Sequence, residues 1–185
     1  MAIEINRIGW EDAPSEQTPI DSGNLKQMEN NSEDGINALF ELLTTNMTIY
    51  SNTEQSYSHT GGNIYLQEPL RFQHSKGNPR DKLMFENNGI KIGAGINHIN
   101  VKGIVTFKHS ESDGRSVFLY IRKNGSIITT QIMHMPTTQS YTMSIFIDYI
   151  AVQEGDLIQL YVAMDNANFK TDGNTDTQLT VQVVD

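Results

Sequence analysis

A chain of 185 residues with 13 basic and 22 acidic side chains carries a formal charge of −9, which opposes non-specific binding to phosphate backbones and argues against a nucleic-acid partner. It has no cysteine, which excludes disulfide frameworks, thiolate metal sites and thiol catalysis, so stability has to come from burial or assembly. The length suits one core of ordinary size plus a short appendage; no window approaches the roughly 18 apolar residues that cross a bilayer, and the first residues lack a basic stretch followed by an apolar run.

Residues 1–20 combine isolated apolar side chains (Ile3, Ile5, Ile8, Trp10) with Pro14 and Pro19. Such a pattern buries little surface by itself and reads as an extended arm that gains order by docking, with Ile8, Trp10, Pro14, Pro19 and Ile20 as its contact residues. The alternative is a frayed terminus. Asp21 is placed to cap a helix, and Ile20 with Leu25 has the spacing of a hydrophobic staple. Apolar residues then fall at Leu25, Met28, Ile36, Leu39, Leu43, Met47 and Tyr50, mostly three or four apart, with Ser32 and Gly35 interrupting the heptad positions. Residues 21–50 are therefore predicted to form a short coiled-coil-like helical stem that associates through Leu25, Met28, Ile36, Leu39 and Leu43; packing on the globular domain is the competing reading. Residues 51–62 are polar and rich in Ser, Thr, Asn and Gly, as in a linker.

From residue 63 onward the periodicity changes to alternation, and residues 63–185 are predicted to form the knob domain. Ile64–Phe72 and Lys82–Phe85 read as short strands. Ile99, Val101, Val105 and Phe107 alternate on one face, with Gly103 marking a bend or bulge. Val117–Arg122 precedes Asn124-Gly125, a strong type I′ hairpin signal, and Ile127–Met135 completes that hairpin. Tyr141–Tyr149, Ile158–Met164 and Leu179–Val183 follow, with a turn at Glu154-Gly155-Asp156. The fold class is mainly β: an antiparallel two-sheet sandwich or jelly roll of roughly eight strands, preceded by an extended arm and a short helix.

Two resemblances add to this reading. The run Ile5 to Glu29, with Trp10, Thr18-Pro-Ile-Asp21, Asn24-Leu25 and Met28-Glu29, resembles the N-terminal segment of tail and fibre proteins of phages that infect Gram-positive bacteria. Farther on, Ile92-Gly-Ala-Gly-Ile-Asn-His-Ile-Asn-Val-Lys-Gly103, Leu119–Gly125, Val152–Leu160 and Leu179–Val184, in that order, are similar to the globular-head pattern of the tumour necrosis factor and complement type. The second resemblance covers about the C-terminal 95 residues and implies a ten-strand jelly roll assembled as a homotrimer, with outer-face side chains such as Phe118, Tyr120, Phe146 or Tyr161 packed against neighbouring subunits.

No catalytic constellation is evident. The five histidines are scattered, and there is neither a Gly-x-Ser-x-Gly elbow nor a phosphate-cradling glycine loop, so no enzyme activity and no cofactor are expected. Asp165, Asp172 and Asp176 have the oxygen donors calcium uses but not the spacing of a calcium hand, and no metal is expected. The polar loop 166–177 and the connection 109–115 supply the candidate receptor-binding residues Arg115, Asn168, Phe169, Lys170 and Asp172, a mixture of stacking surface and hydrogen-bond donors suited to a sugar or a protein receptor. The expectation is a phage virion protein assembled in the host cytoplasm. In it the arm contacts other virion proteins and a trimeric knob adheres to a host surface glycan. A head fibre, collar or capsid decoration with a purely structural role, and a glycan-active enzyme, are the alternatives.

Overall fold

The computed structural model describes residues 22–58, 69–109, 114–136, 140–165, 168–173 and 177–184. The arm residues Ile8, Trp10, Pro14, Pro19 and Ile20 lie outside these, as do the side chains of Leu25 and Leu43. The chain divides into two compact units, Met1–Thr44 and Thr45–Asp185. The first contributes one helix, α1 (Ser22–Thr44), whose Gln, Glu, Leu and Met residues favour helix while Gly35 weakens it by about 1 kcal/mol. The Ser32 hydroxyl turns back onto the Met28 carbonyl at 2.9 Å. No helix among the described residues is long and apolar enough to cross a membrane.

The helix stops six residues short of the predicted 50. Residues Asn46–Tyr50 are instead the first strand, β1. Met47 and Tyr50 happen to continue the three-to-four spacing, but burial follows a period of two: Met47 and Ile49 are buried, and Asn46, Thr48 and Tyr50 are not. The run 51–62, expected as a linker, contains a second strand, β2 (Gln55–Tyr57).

The remaining strands are β3 (His74–Asn78), β4 (Leu83–Glu86), β5 (Gly89–Ile92), β6 (His98–His109), β7 (Arg115–Lys123), β8 (Ser126–Met135), β9 (Tyr141–Ala151), β10 (Leu157–Met164), β11 (Phe169–Thr171) and β12 (Gln178–Val183). They make two antiparallel sheets. One has the order β4-β5-β10-β7-β8. The other is organised on β6, the longest strand: β9 runs along one side of it, while β12 pairs with Ile99–Ile104 and β11 with Phe107–His109 on the other. From β12 the sheet continues through β1 to β3, and from β11 to β2.

The core lies between the sheets and is built from alternating positions. Ile99, Val101, Val105 and Phe107 of β6 meet Val117, Leu119 and Ile121 of β7 and Ile158, Leu160 and Val162 of β10, all fully buried. Gly103 occupies the same inward row because a β-carbon there would come within 2.5 Å of the Leu160 side chain. Asn124 and Gly125 adopt φ of 51° and 80°, as the type I′ reading requires. Asn87 and Asn88, with φ of 49° and 56°, make an analogous turn between β4 and β5.

A buried carboxylate ties two turns together. Asp156 accepts from the Asn124 side-chain amide at 2.7 Å and from the Gln153 backbone N–H at 3.1 Å, with the Lys123 ammonium 3.6 Å away. Asn124 in turn accepts from the Leu157 N–H at 2.8 Å. Replacing Asp156 by Ala leaves these donors without an acceptor in a protected site; the expected loss is roughly 2–3 kcal/mol, read by denaturant unfolding. A chain beginning at Thr45 keeps every strand and is expected to unfold cooperatively. One beginning at Gly62 lacks β1 and β2, leaves the edge of β12 without its partner and removes the core residues Met47 and Ile49, and is expected to show no cooperative melt by circular dichroism.

Candidate functional site

The last three residues of β6 run past the end of β12 and are paired by β11, which is capped by β2. The register puts Phe169 opposite both Tyr57 and His109, and Lys170 opposite both Ser56 and Lys108. Alternation then separates the two sets of side chains. Phe169 and Tyr57 turn inward, stacked with ring centroids 4.9 Å apart, and Phe169 also packs against Phe107 at 6.0 Å. Lys108, Lys170 and Ser56 share the opposite face.

Against these strands lies a groove of about 310 Å3, lined by Ser56, Tyr57, Ser58, Lys108, Asn168, Phe169 and Lys170. Three of the candidate residues, Asn168, Phe169 and Lys170, thus meet in one place. Phe169, expected as an exposed stacking surface, is a buried core ring, because its position on β11 faces inward. Arg115 does not join the groove: it starts β7, in the other sheet. Asp172 is not among the lining residues either, but its carboxylate is 2.8 Å from the Lys108 ammonium. The second lysine is held in the same manner, with Lys170 Nζ donating to Glu54 Oε1 at 2.6 Å. Both lysine side chains remain about half exposed, at 40% for Lys108 and 53% for Lys170. The hydrogen bond that Lys108 donates to Asp172, opposed by desolvation and assisted by the charges of Asp172 and Glu54, raises the Lys108 pKa above the ordinary lysine value.

Lys108, Tyr57, Ser56 and Ser58 were not singled out by the sequence. The run 51–58 is polar, and only the alternation of Gln55 and Tyr57 hints at a strand. Beside the groove, a network of side chains holds β2 in place. The Gln55 side-chain amide donates to the Arg71 carbonyl at 2.5 Å and its oxygen accepts from the Arg71 N–H at 3.0 Å, so one amide does the work of a neighbouring strand. Tyr57 donates to the same oxygen at 2.6 Å. Among the described residues no group of three or more His, Asp or Glu side chains stands close enough to hold a metal ion.

No family model matches the sequence, and no curated protein sequence matches it. The fold resembles that of solved structures. It is similar to the Eiger TNF of S. frugiperda with a TM-score of 0.57 at 8% identity, over 77% of this chain and 93% of that one. It is also similar to murine APRIL, in a crystal structure at pH 5.0, with a TM-score of 0.51 at 12% identity, over 76% and 99% of the two chains. The fold is a TNF-type jelly roll. At such identities the likeness establishes fold and nothing about ligands.

Within the TNF-type jelly roll, the aromatic residues expected at subunit contacts divide. Tyr120 and Tyr161 are buried within the chain, clustered with Ala163 and the half-buried Phe118, and Arg122 lies 4.1 Å from the Tyr161 ring centre. They serve the fold. Phe146 on β9 is 57% exposed. Near it, two residues of β9 stand against Asn100 at a bulge. There Tyr149 takes φ of 53°, its N–H donates to Asn100 Oδ1 at 2.9 Å, and its ring stacks on His98 at 4.2 Å.

The Lys108 pair has a pH signature. Because its pKa is raised in the folded state, the pair contributes stability in full below the ordinary lysine pKa and loses it as pH rises through the raised value. Replacing Asp172 by Asn is expected to return the Lys108 titration toward the ordinary lysine range in an NMR titration of the side-chain resonances, with no change near neutral pH in the groups away from it.

Proposed function

We propose that this protein is a homotrimeric virion component of fibre type, whose arm (residues 1–20) docks onto other virion proteins and whose TNF-type knob presents the groove to a glycan on the host surface. The observation that carries the reading is the apolar stripe of α1. Met28, Ile36 and Leu39 are exposed by 47%, 67% and 52% in the single chain. Side chains of this size along one helix face find cover against equivalent helices. Phe146 on β9 and Ile127 and Ile132 on β8 add exposed apolar surface on two strands that, among the described residues, are each paired along one side. Three copies of one modest site, displayed together, bind a repetitive surface by avidity, and the β core supplies rigidity. The fibre role rests on the likeness of the segment from Ile5 to Glu29 to phage tail and fibre proteins.

Light scattering over a concentration series tests the assembly. The expected mass is three times the 20.8 kDa of one chain, with a shift toward monomer in an Ile36→Asp, Leu39→Asp double variant. A monomer at every concentration would sink the reading. Binding of the labelled protein to Gram-positive cell walls, lost on enzymatic removal of the wall glycan, is the expected outcome for the adhesive role.

A further inference from the structure

We infer that the groove on β2, β11 and β6 selects an acidic sugar, its carboxylate or phosphate group bridging the ammonium groups of Lys108 and Lys170. The inference rests on the reading of this groove as the glycan site and names the chemical class of its ligand.

The register supplies the first argument. Lys108 and Lys170 are directly opposite on adjacent antiparallel strands, a position where like charges oppose pairing. Neither side chain is buried, so neither lysine is required by the core. A strand here would be better served by a β-branched residue or by charges of opposite sign. The pairing is tolerated because each lysine has a carboxylate beside it, Asp172 for Lys108 and Glu54 for Lys170.

The second argument is where those carboxylates stand. Among the described residues lining the groove there are two lysines and no acid, although the whole chain carries a charge of −9. Glu54 lines a neighbouring depression of about 250 Å3 instead. Both lysines thus line the groove, while neither of the carboxylates that hold them is among its described lining residues. An ammonium group has three N–H donors, and the contact to its carboxylate uses one. The carboxylates thus orient the lysines, leaving donors for a ligand oxygen. Around them, Asn168, Ser56 and Ser58 supply the neutral polar groups that sugar hydroxyls need. The volume of about 310 Å3 suits one or two sugar rings.

The test uses the full chain and three probes in isothermal titration calorimetry: a hyaluronan tetrasaccharide, which carries carboxylates; a glycerol phosphate trimer, which carries phosphates; and neutral maltotetraose. At least one acidic probe is expected to bind roughly tenfold or more tightly than maltotetraose. Which acidic probe wins identifies the anionic group. Lys108→Gln and Lys170→Gln should each weaken the acidic probe by roughly tenfold with an unchanged circular dichroism spectrum, and Lys170→Arg should retain most of the affinity. Equal binding of acidic and neutral probes, weakened by Asn168→Ala but not by the lysine variants, would overturn the acidic selectivity and leave the groove as a glycan site. No heat with any of the three probes would overturn the glycan reading of the groove along with the inference.

Discussion

The length of β6 is the constraint from which the rest of the sandwich follows. Its backbone groups need partners on both sides over 12 residues. β9 satisfies one side, but β12 reaches only Ile104 on the other. The three residues from Phe107 to His109 would form an open edge over a buried aromatic ring. A short excursion from the long polar loop, Phe169 to Thr171, closes that edge, and β2 closes the next. The pairing that completes the sheet also brings Lys108, Lys170 and Ser56 into one outward row, so the groove is a consequence of finishing the fold.

Where strand pairing gives out, side-chain amides and carboxylates take over. Gln55 hydrogen-bonds both backbone groups of Arg71 as a strand would, and its amide also reaches Ser51 Oγ at 3.0 Å, linking β2 to the end of β1. Asn124 and Asp156 do the same for two turns. These contacts are short-range and directional, and they are satisfied in only one arrangement of the strands. The apolar rows make the sandwich stable, and the polar ties set which loops lie next to which.

The apolar surface left uncovered has a different character from the core. The core rows are continuous and interdigitated, whereas Ile127, Ile132, Phe146 and Tyr149 are displayed singly on β8 and β9. Tyr149 is held in a left-handed backbone conformation, which is unfavourable for a bulky residue, by a bulge, a hydrogen bond from its N–H and a stacked imidazole. Such an arrangement keeps a ring outside and ordered. On the separate helical unit, the exposed stripe of Met28, Ile36 and Leu39 is likewise regular enough to serve association.

Much of the sandwich was legible in the sequence because its signals are local. Alternation in 99–107 and 141–147 reflects the pleat itself, the β-branched and aromatic density of 117–122 marks a strand, and Asn124-Gly125 carries the backbone freedom its turn needs. The helix start near residue 22 was equally local. Its end was not, because Met47 and Tyr50 suit a helix stripe and a strand alike, and the decision fell to the pairing of β1 with β12 and β3. By itself the sequence determined the strand-rich class, the hairpin turns, the absence of thiol chemistry and the existence of an apolar helical stripe. Only the tertiary structure decided that Phe169 is a core ring, that Arg115 stands apart, and that Lys108 and Lys170 face the same groove. Those facts depend on which distant segments pair with β6, and the pairing is fixed by burial and hydrogen bonding across the whole sheet.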